Sequence, residues 1–184
     1  MRVVIIMNEE QLTQWPVAGS SIEWIHVTNF EEYAMHQGDL YVYLEVVKTL
    51  KEMNAPKNMI RINGWPGFLQ RDSWEVAGEI NEDVRSLFHA MEKKLIHVAD
   101  EPGLVAARVI SMIINEAYFG LGDAVSTKEE IDIAMKLGTN YPFGPFEWAE
   151  KIGLKNVYEL LKALNKNDNR YKLAPALESE INKK

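Results

Sequence analysis

The sequence predicts an α/β fold over residues 1–99 and an all-helical fold over residues 100–184. Two observations support this division. Short β-rich runs alternate with helical stretches in the first part, which is typical of right-handed crossovers and a mostly parallel sheet. In the second part the apolar residues recur with helical spacing only. We therefore expect a small α/β domain followed by an all-α domain.

The α/β part begins with a buried type of strand, and Asn8 is placed to cap the helix that follows it. Pro16 and Gly19 are expected to end that helix, and Asn29 is expected to cap the next one. The segment from 64 to about 80 is expected to be a Gly/Pro-rich loop. Strands are predicted over residues 2–7, 21–27, 39–44, 59–63 and 95–98, and helices over residues 8–15, 30–36, 46–53 and from 81 or 83 to 93.

The helical part contains clear start and stop signals. Thr127 and Glu130 form a capping box, with Ser126 and Glu129 as the other pairing, and Gly138 is expected to end this helix in a left-handed conformation. Pro145 fits the first turn of the next helix. Helices are predicted over residues 104–121, 127–137, 145–152, 157–164 and 174–181, with Pro102 in the first turn of the first one.

Composition excludes several classes of protein. The chain has 20 Lys and Arg against 27 Asp and Glu, a net charge of −7, and no basic run, so nucleic-acid binding is not expected. No apolar run reaches the roughly 18 residues that a membrane span needs. Cysteine is absent, which excludes disulfides and thiolate chemistry and favours the cytoplasm. The four histidines are scattered without metal-ligand spacing, so no metal site is predicted.

The first strand-to-helix turn argues against a bound dinucleotide. A turn that cradles a pyrophosphate needs glycines, because its backbone must approach the phosphates closely. The segment from Met7 to Leu12 has no glycine and carries two carboxylates, Glu9 and Glu10, which would repel a phosphate. We therefore predict no cofactor.

A second turn, Gly64-Trp65-Pro66-Gly67-Phe68, places two large aromatic residues at the end of the fourth predicted strand. Open α/β sheets bind ligands at this edge, so Trp65 and Phe68 are candidates for ligand contact. The alternative is that both rings only pack under the loop. The sequence leaves these two interpretations open.

From residue 100 onward the sequence resembles a known family. The segments D-E-P-G-L-V-A-A-R-V, I-I-N-E-A and I-D-I-A-M-K-L-G-T-N-Y-P-F-G-P-F-E-W-A-E-K-I-G-L are similar, in order and spacing, to the C-terminal domain of 3-hydroxyacyl-CoA dehydrogenases. The resemblance implies a small, shortened Rossmann-like sheet followed by this helical dehydrogenase domain. It also implies a homodimer formed through the helical domain, and NAD as the cofactor of the family.

The resemblance is weaker around the residues that act in the family. Glu75 matches the Glu that orients the catalytic His, but Asn63 stands at the position of that His, and an amide is not a general base. Ala107 stands at the position of the family's Asn, while Arg108 is kept. The stretch that carries the family's Ser is missing between the third and fourth strands. Glu75 is thus the one residual catalytic match.

Three functions remain open from the sequence. The first is a degenerate family member that lacks the glycine loop, the His and the Asn, and acts by dimerisation and by binding an acyl-CoA-like ligand or a partner. The second is a working NAD-dependent 3-hydroxyacyl-CoA dehydrogenase of fatty acid metabolism, completed by another subunit that brings a nucleotide domain. The third is a structural dimer without a small ligand, associated through the helix face at Ala106–Arg108.

Overall fold

The computed structural model describes residues 1–16 and 21–183, and the chain divides into two units, Met1–Val105 and Ala106–Lys184. Residues 100–105, which the sequence assigned to the helical part, belong to the first unit. Gly19, the expected helix terminator, lies outside the described residues.

The first unit contains one six-stranded sheet. Its strands are β1 (Arg2–Ile6), β2 (Glu23–Val27), β3 (Leu40–Tyr43), β4 (Met59–Ile62), β5 (Ser73–Ala77) and β6 (Lys94–His97), in the order β2-β1-β3-β4-β5-β6. Every neighbouring pair is parallel except β4 and β5, which are antiparallel. The predicted α/β class with a mostly parallel sheet is therefore confirmed.

Two α-helices of the first unit begin at asparagine caps. Helix α1 (Glu9–Gln14) starts at Asn8, whose side chain accepts the Gln11 amide, and α2 (Glu82–Ala90) starts at Asn81. Between β2 and β3 the chain forms a 3₁₀ helix, Phe30–Met35, capped by Asn29 as predicted. The main core lies on the face of the sheet where α2 packs Val84, Leu87 and Phe88 against the strands.

The predicted helix over residues 46–53 is wrong, because this stretch forms a series of turns. A helix would need the Val46 carbonyl to accept an amide four residues further on. That carbonyl instead accepts Arg61 Nη1 at 3.1 Å and the Gly103 amide at 2.7 Å. Long-range partners therefore replace the local helical hydrogen bonds.

Strand β5 lies inside the segment expected to be a loop. Its side chains alternate, since Trp74 and Val76 are buried and Glu75 between them is half-buried. The Gly and Pro residues of this segment lie outside the strand, at positions 64–67 before it and at Gly78 after it. This correction matters for the site, because it places Glu75 on the sheet.

The second unit consists of helices. They are α3 (Ala106–Gly122), α4 (Lys128–Thr139), α5 (Pro145–Ile152), α6 (Leu154–Asn165) and α7 (Pro175–Ile181). Helix α3 contacts α5, α6 and α7, and the buried Asn115 side chain on α3 holds the chain before α7 by accepting the Ala174 amide and donating to the Lys172 carbonyl. The expected start near Leu104 is wrong, since Leu104 has a φ of 51° and ends a turn.

The join between α4 and α5 depends on a buried carboxylate. Asp132 on α4 accepts the amides of Phe146 and Glu147 at 2.8 and 3.1 Å, and so caps α5 from a distance. A Cβ at Gly144 would lie 2.3 Å from the Asp132 carboxyl group, so only glycine fits there. Helix α4 itself ends at Asn140, with a φ of 56°, and not at Gly138 as predicted, because the helix continues through Thr139.

Candidate functional site

The candidate site lies at the end of the antiparallel ladder between β4 and β5. In this ladder Arg61 pairs with Ala77 and Ile62 pairs with Val76. Asn63 directly follows the last residue of β4, and Glu75 directly precedes Val76 on β5. The two residues that the sequence resemblance linked across 12 positions therefore both lie next to the last pair of this ladder, Ile62 and Val76.

Asn63 is buried, with 5% of its surface exposed. Its Oδ1 accepts the Trp65 backbone amide at 3.2 Å, which fixes the orientation of the carboxamide. Its Nδ2 has no hydrogen-bond partner within the described part of the chain. A buried donor without a partner costs roughly 1–3 kcal/mol, so this amide group is an unsatisfied polar group inside the first unit.

Glu75 is half-buried on β5, and its carboxylate contacts the end of the first unit. Oε2 accepts the Val105 backbone amide at 3.3 Å. The side chain that the resemblance matched to a His-orienting Glu thus accepts a hydrogen bond from the backbone. A side chain in this role can position a segment of chain, which is a structural task independent of proton transfer.

The two aromatic candidates differ in their exposure. Trp65 is only 6% exposed and packs its ring edge-on against Phe68, with 6.4 Å between the ring centroids. Phe68 is half-buried, and the Arg71 guanidinium lies over its ring at 5.6 Å. Packing under the loop accounts for Trp65, and contact of either ring with a ligand stays a prediction.

Ala107, at the position of the family's Asn, lies in the first turn of α3 and is fully buried. It belongs to the second unit, whereas Asn63, Trp65, Phe68 and Glu75 belong to the first. An alanine side chain has no hydrogen-bonding group, so position 107 contributes packing only.

A buried charge cluster next to the site was not predicted from the sequence. The fully buried Arg61 guanidinium lies 2.9 Å from Asp100 Oδ1 and donates to the carbonyls of Glu45, Val46 and Glu101. Burial lowers the pKa of Arg61, and the Asp100 carboxylate opposes that shift. The available signal was a lone arginine inside the apolar run Met59–Ile62.

Two negative findings apply to the described residues. No group of three or more His, Cys, Asp or Glu side chains is placed there to hold a metal ion. In the same part of the chain, no helix has both the length and the apolar character needed to cross a membrane.

A mostly parallel α/β unit followed by a separate helical unit defines a two-domain protein with a Rossmann-like first part. The sequence of residues 103–184 matches the family described as 3-hydroxyacyl-CoA dehydrogenase, C-terminal domain. Residues 103–184 therefore match the C-terminal domain of this family, as the sequence motifs predicted.

Characterised relatives agree with this assignment. A 3-hydroxyadipyl-CoA dehydrogenase of Escherichia coli K12 is 39% identical over 82 residues, which are 44% of this chain and 17% of the relative. A probable 3-hydroxybutyryl-CoA dehydrogenase of Bacillus subtilis is 37% identical over 101 residues, 54% of this chain and 35% of the relative. The matched regions thus span about a sixth to a third of these relatives.

Solved structures share the fold over more of the chain. An (S)-3-hydroxybutyryl-CoA dehydrogenase from Ralstonia eutropha has a TM-score of 0.71 at 23% identity, covering 88% of this chain and 65% of the other. A 3-hydroxybutyryl-CoA dehydrogenase from Escherichia coli K12 has a TM-score of 0.62 at 26% identity, covering 78% and 32%. The fold similarity therefore extends beyond the helical domain into the α/β unit.

Proposed function

We propose that this chain is a degenerate member of its family, which does not transfer hydride by itself and acts by dimerisation and by binding a ligand or a partner. The side chain at position 63 carries the proposal. The family resemblance assigns this position to the catalytic His. Asn63 carries a neutral carboxamide, which makes hydrogen bonds but does not take up or release a proton near neutral pH.

The first strand-to-helix turn gives independent support, because its residues do not fit a nicotinamide dinucleotide. The Asn8 side chain already accepts the Gln11 amide at 2.8 Å, and Glu9 and Glu10 occupy the first turn of α1. A pyrophosphate at a helix N-terminus needs free amides and a favourable charge. We therefore assign no dinucleotide to this turn.

An acyl-CoA-like thioester is the proposed small ligand. The relatives are named for 3-hydroxyadipyl-CoA and 3-hydroxybutyryl-CoA, which are both acyl-CoA compounds. In this chain, Asn63 Nδ2 could donate to a thioester or 3-oxo oxygen, with Phe68 as the neighbouring apolar contact. Binding of this kind needs a hydrogen-bond donor but no general base.

Exposed apolar residues of the second unit support a homodimer. Val109 on α3 is 52% exposed, and Ile133 and Leu137 on α4 are 53% and 83% exposed. Ile133 and Leu137 are four residues apart, so they lie on one face of α4. Large apolar side chains on a helix surface favour burial against a partner. We propose that a second copy of the chain covers them.

The cytoplasm is the proposed compartment. The chain contains no cysteine, so it lacks the disulfides that many small secreted domains need. The reducing conditions of the cytoplasm therefore place no constraint on its folding.

Turnover measurements test the loss of hydride transfer. The purified chain is mixed with NADH and acetoacetyl-CoA, and absorbance at the NADH band is followed with and without cell extract. We expect no NADH oxidation beyond that of the extract alone. Oxidation by the purified chain would contradict the proposal directly, since Asn63 could not then be the limiting feature.

Binding and association need separate measurements. Calorimetric titration with acetoacetyl-CoA is expected to give binding that weakens at least several-fold in Asn63→Ala. Light scattering is expected to show a dimer that dissociates in Leu137→Glu. Asn167→Glu, an equal charge change at an exposed loop position of the same unit, should leave the dimer intact. A monomeric wild type would exclude the dimer.

The second candidate is a working NAD-dependent dehydrogenase completed by another subunit. The retained Glu75 favours it, as do the relatives named as dehydrogenases. The same absorbance assay separates the two. NADH oxidation that appears only when this chain and extract are combined, and exceeds that of extract alone, would favour the second candidate.

A further inference from the structure

The Gln11 side chain joins three segments of the first unit. Its Oε1 accepts the Asn8 backbone amide at 2.9 Å, which completes the cap of α1. Its Nε2 donates to the Leu44 carbonyl at 3.2 Å and to the Gly64 carbonyl at 3.0 Å. Both hydrogens of the Gln11 amide group are therefore used, and each goes to a different strand end.

These strand ends surround the place where a ligand crevice is expected. Leu44 directly follows β3, Gly64 follows β4, and Asn8 follows β1, so all three lie at carboxyl ends of parallel strands. The chain passes from β1 to β2 on one side and then returns to β3 on the other side. Open α/β sheets bind ligands at such a reversal of strand order.

The contacts around Gln11 leave no space at this point. A Cβ placed on Gly64 would lie 2.6 Å from Gln11 Nε2 and 2.5 Å from Leu44 Cβ. Helix α1 is therefore held directly against the ends of β3 and β4. A dinucleotide would have to displace Gln11 and leave the carbonyls of Leu44 and Gly64 without this donor.

We propose that Gln11 is a positioning residue that straps α1 to the ends of β3 and β4 and closes the dinucleotide crevice. This inference deepens the proposed function, because it identifies what fills the place of the cofactor. The α/β unit then completes its hydrogen bonding with its own side chain and folds without a dinucleotide.

Gln11→Glu tests the strap while keeping the cap. The new carboxylate still accepts the Asn8 amide, but it cannot donate to Leu44 or Gly64 and faces two carbonyl oxygens instead. Gln14→Glu is the matched control, because the hydrogen bonds of the Gln14 side chain within the described residues are both accepted, from the Gly67 amide and the Gln70 side chain at 3.1 Å each. Both variants add one negative charge to the same helix.

Thermal melts of the full chain, followed by tryptophan fluorescence, give the readout. We expect Gln11→Glu to lower Tm by about 4–8 °C relative to Gln14→Glu. If Gln11→Glu does not fold, Gln11→Met, which is neutral and of similar length, takes its place in the comparison. Equal Tm values for the position-11 variant and Gln14→Glu would overturn the strap.

A separate measurement tests whether the crevice is closed to a dinucleotide. Addition of 1 mM NADH should leave the wild-type Tm unchanged, whereas a ligand bound well below that concentration would raise it by several degrees. A rise in wild-type Tm with NADH would overturn the closure. The two proposals can also fail separately. If this chain and extract oxidised NADH only when combined, while NADH left the wild-type Tm unchanged, the proposed function would be rejected but the role of Gln11 would not.

Discussion

Asp100→Ala provides the sharpest test of the buried charge cluster. The Arg61 side chain is fully buried, and its Nε and Nη2 lie 3.1 and 2.9 Å from Asp100 Oδ1. Alanine removes the carboxylate that both of these atoms contact. Breaking a buried ion pair by deleting one partner costs about 3–5 kcal/mol, because the other charge stays buried without compensation. Three backbone carbonyls still accept from Arg61, so we expect the lower half of that range.

Urea unfolding measures this loss in the first unit alone. Trp148 is the one tryptophan of the second unit, so a Trp148→Phe background restricts the fluorescence signal to the first unit. With a urea slope of about 1–3 kcal/mol/M, a loss of about 3–4 kcal/mol should lower the midpoint by about 1–4 M. The other tryptophans are Trp15, Trp24, Trp65 and Trp74.

Asp72→Ala is the control for the same experiment. Asp72 is exposed in the first unit, so its removal should change the midpoint little. If Asp100→Ala behaved like Asp72→Ala, the Arg61 guanidinium would have to be solvated in the folded chain. That result would refute the conclusion that Arg61 is a buried cation whose charge is balanced by Asp100.

Further predictions concern the second unit. Gly144→Ala should destabilise the chain by about 1–3 kcal/mol, because the added Cβ displaces the Asp132 carboxylate that caps α5. Gly138→Ala should stabilise it by up to about 1 kcal/mol, because a Cβ at Gly138 meets nothing within 4 Å. Thermal melts of the two variants measure this difference. A Gly144→Ala protein as stable as Gly138→Ala would contradict the steric argument. The Lys136 ammonium and the Gly144 amide lower the pKa of Glu147 below its usual 4.5, so the folded state binds fewer protons than the unfolded state. Its contribution is therefore present above pH 4.5 and lost as the pH falls below it, and the loss of Tm between pH 7 and pH 4 should be smaller in Glu147→Gln. An equal loss in both proteins would show that this carboxylate does not contribute.

Local signals allowed much of the fold to be predicted. Asn8, Asn29 and Thr127 cap the elements that the sequence assigned to them, because a capping side chain bonds an amide only two or three residues away. The helix expected over 46–53 failed for the opposite reason. Its backbone carbonyls are taken by Arg61 and Gly103, which are distant in sequence and give no local signal.

The site was predicted only in part, because its contacts also join residues that are distant in sequence. Motif spacing linked position 63 with Glu75, but it did not show that β5 exists or that the ladder between β4 and β5 ends beside both positions. The Gln11 contacts with Leu44 and Gly64 span 33 and 53 residues. No pattern within one helix or strand carries information about such bonds, since they depend on the finished sheet.

The Arg61 cluster also determines where the chain can be cut. The sequence placed the domain boundary between residues 99 and 100, yet Arg61 depends on Asp100 and on the Glu101 carbonyl. A fragment of residues 1–99 would enclose a guanidinium without its counter-charge. During synthesis, the sheet likewise cannot compensate this charge until some 40 residues after Arg61 have been added. A fragment that ends after Val105 keeps the cluster whole.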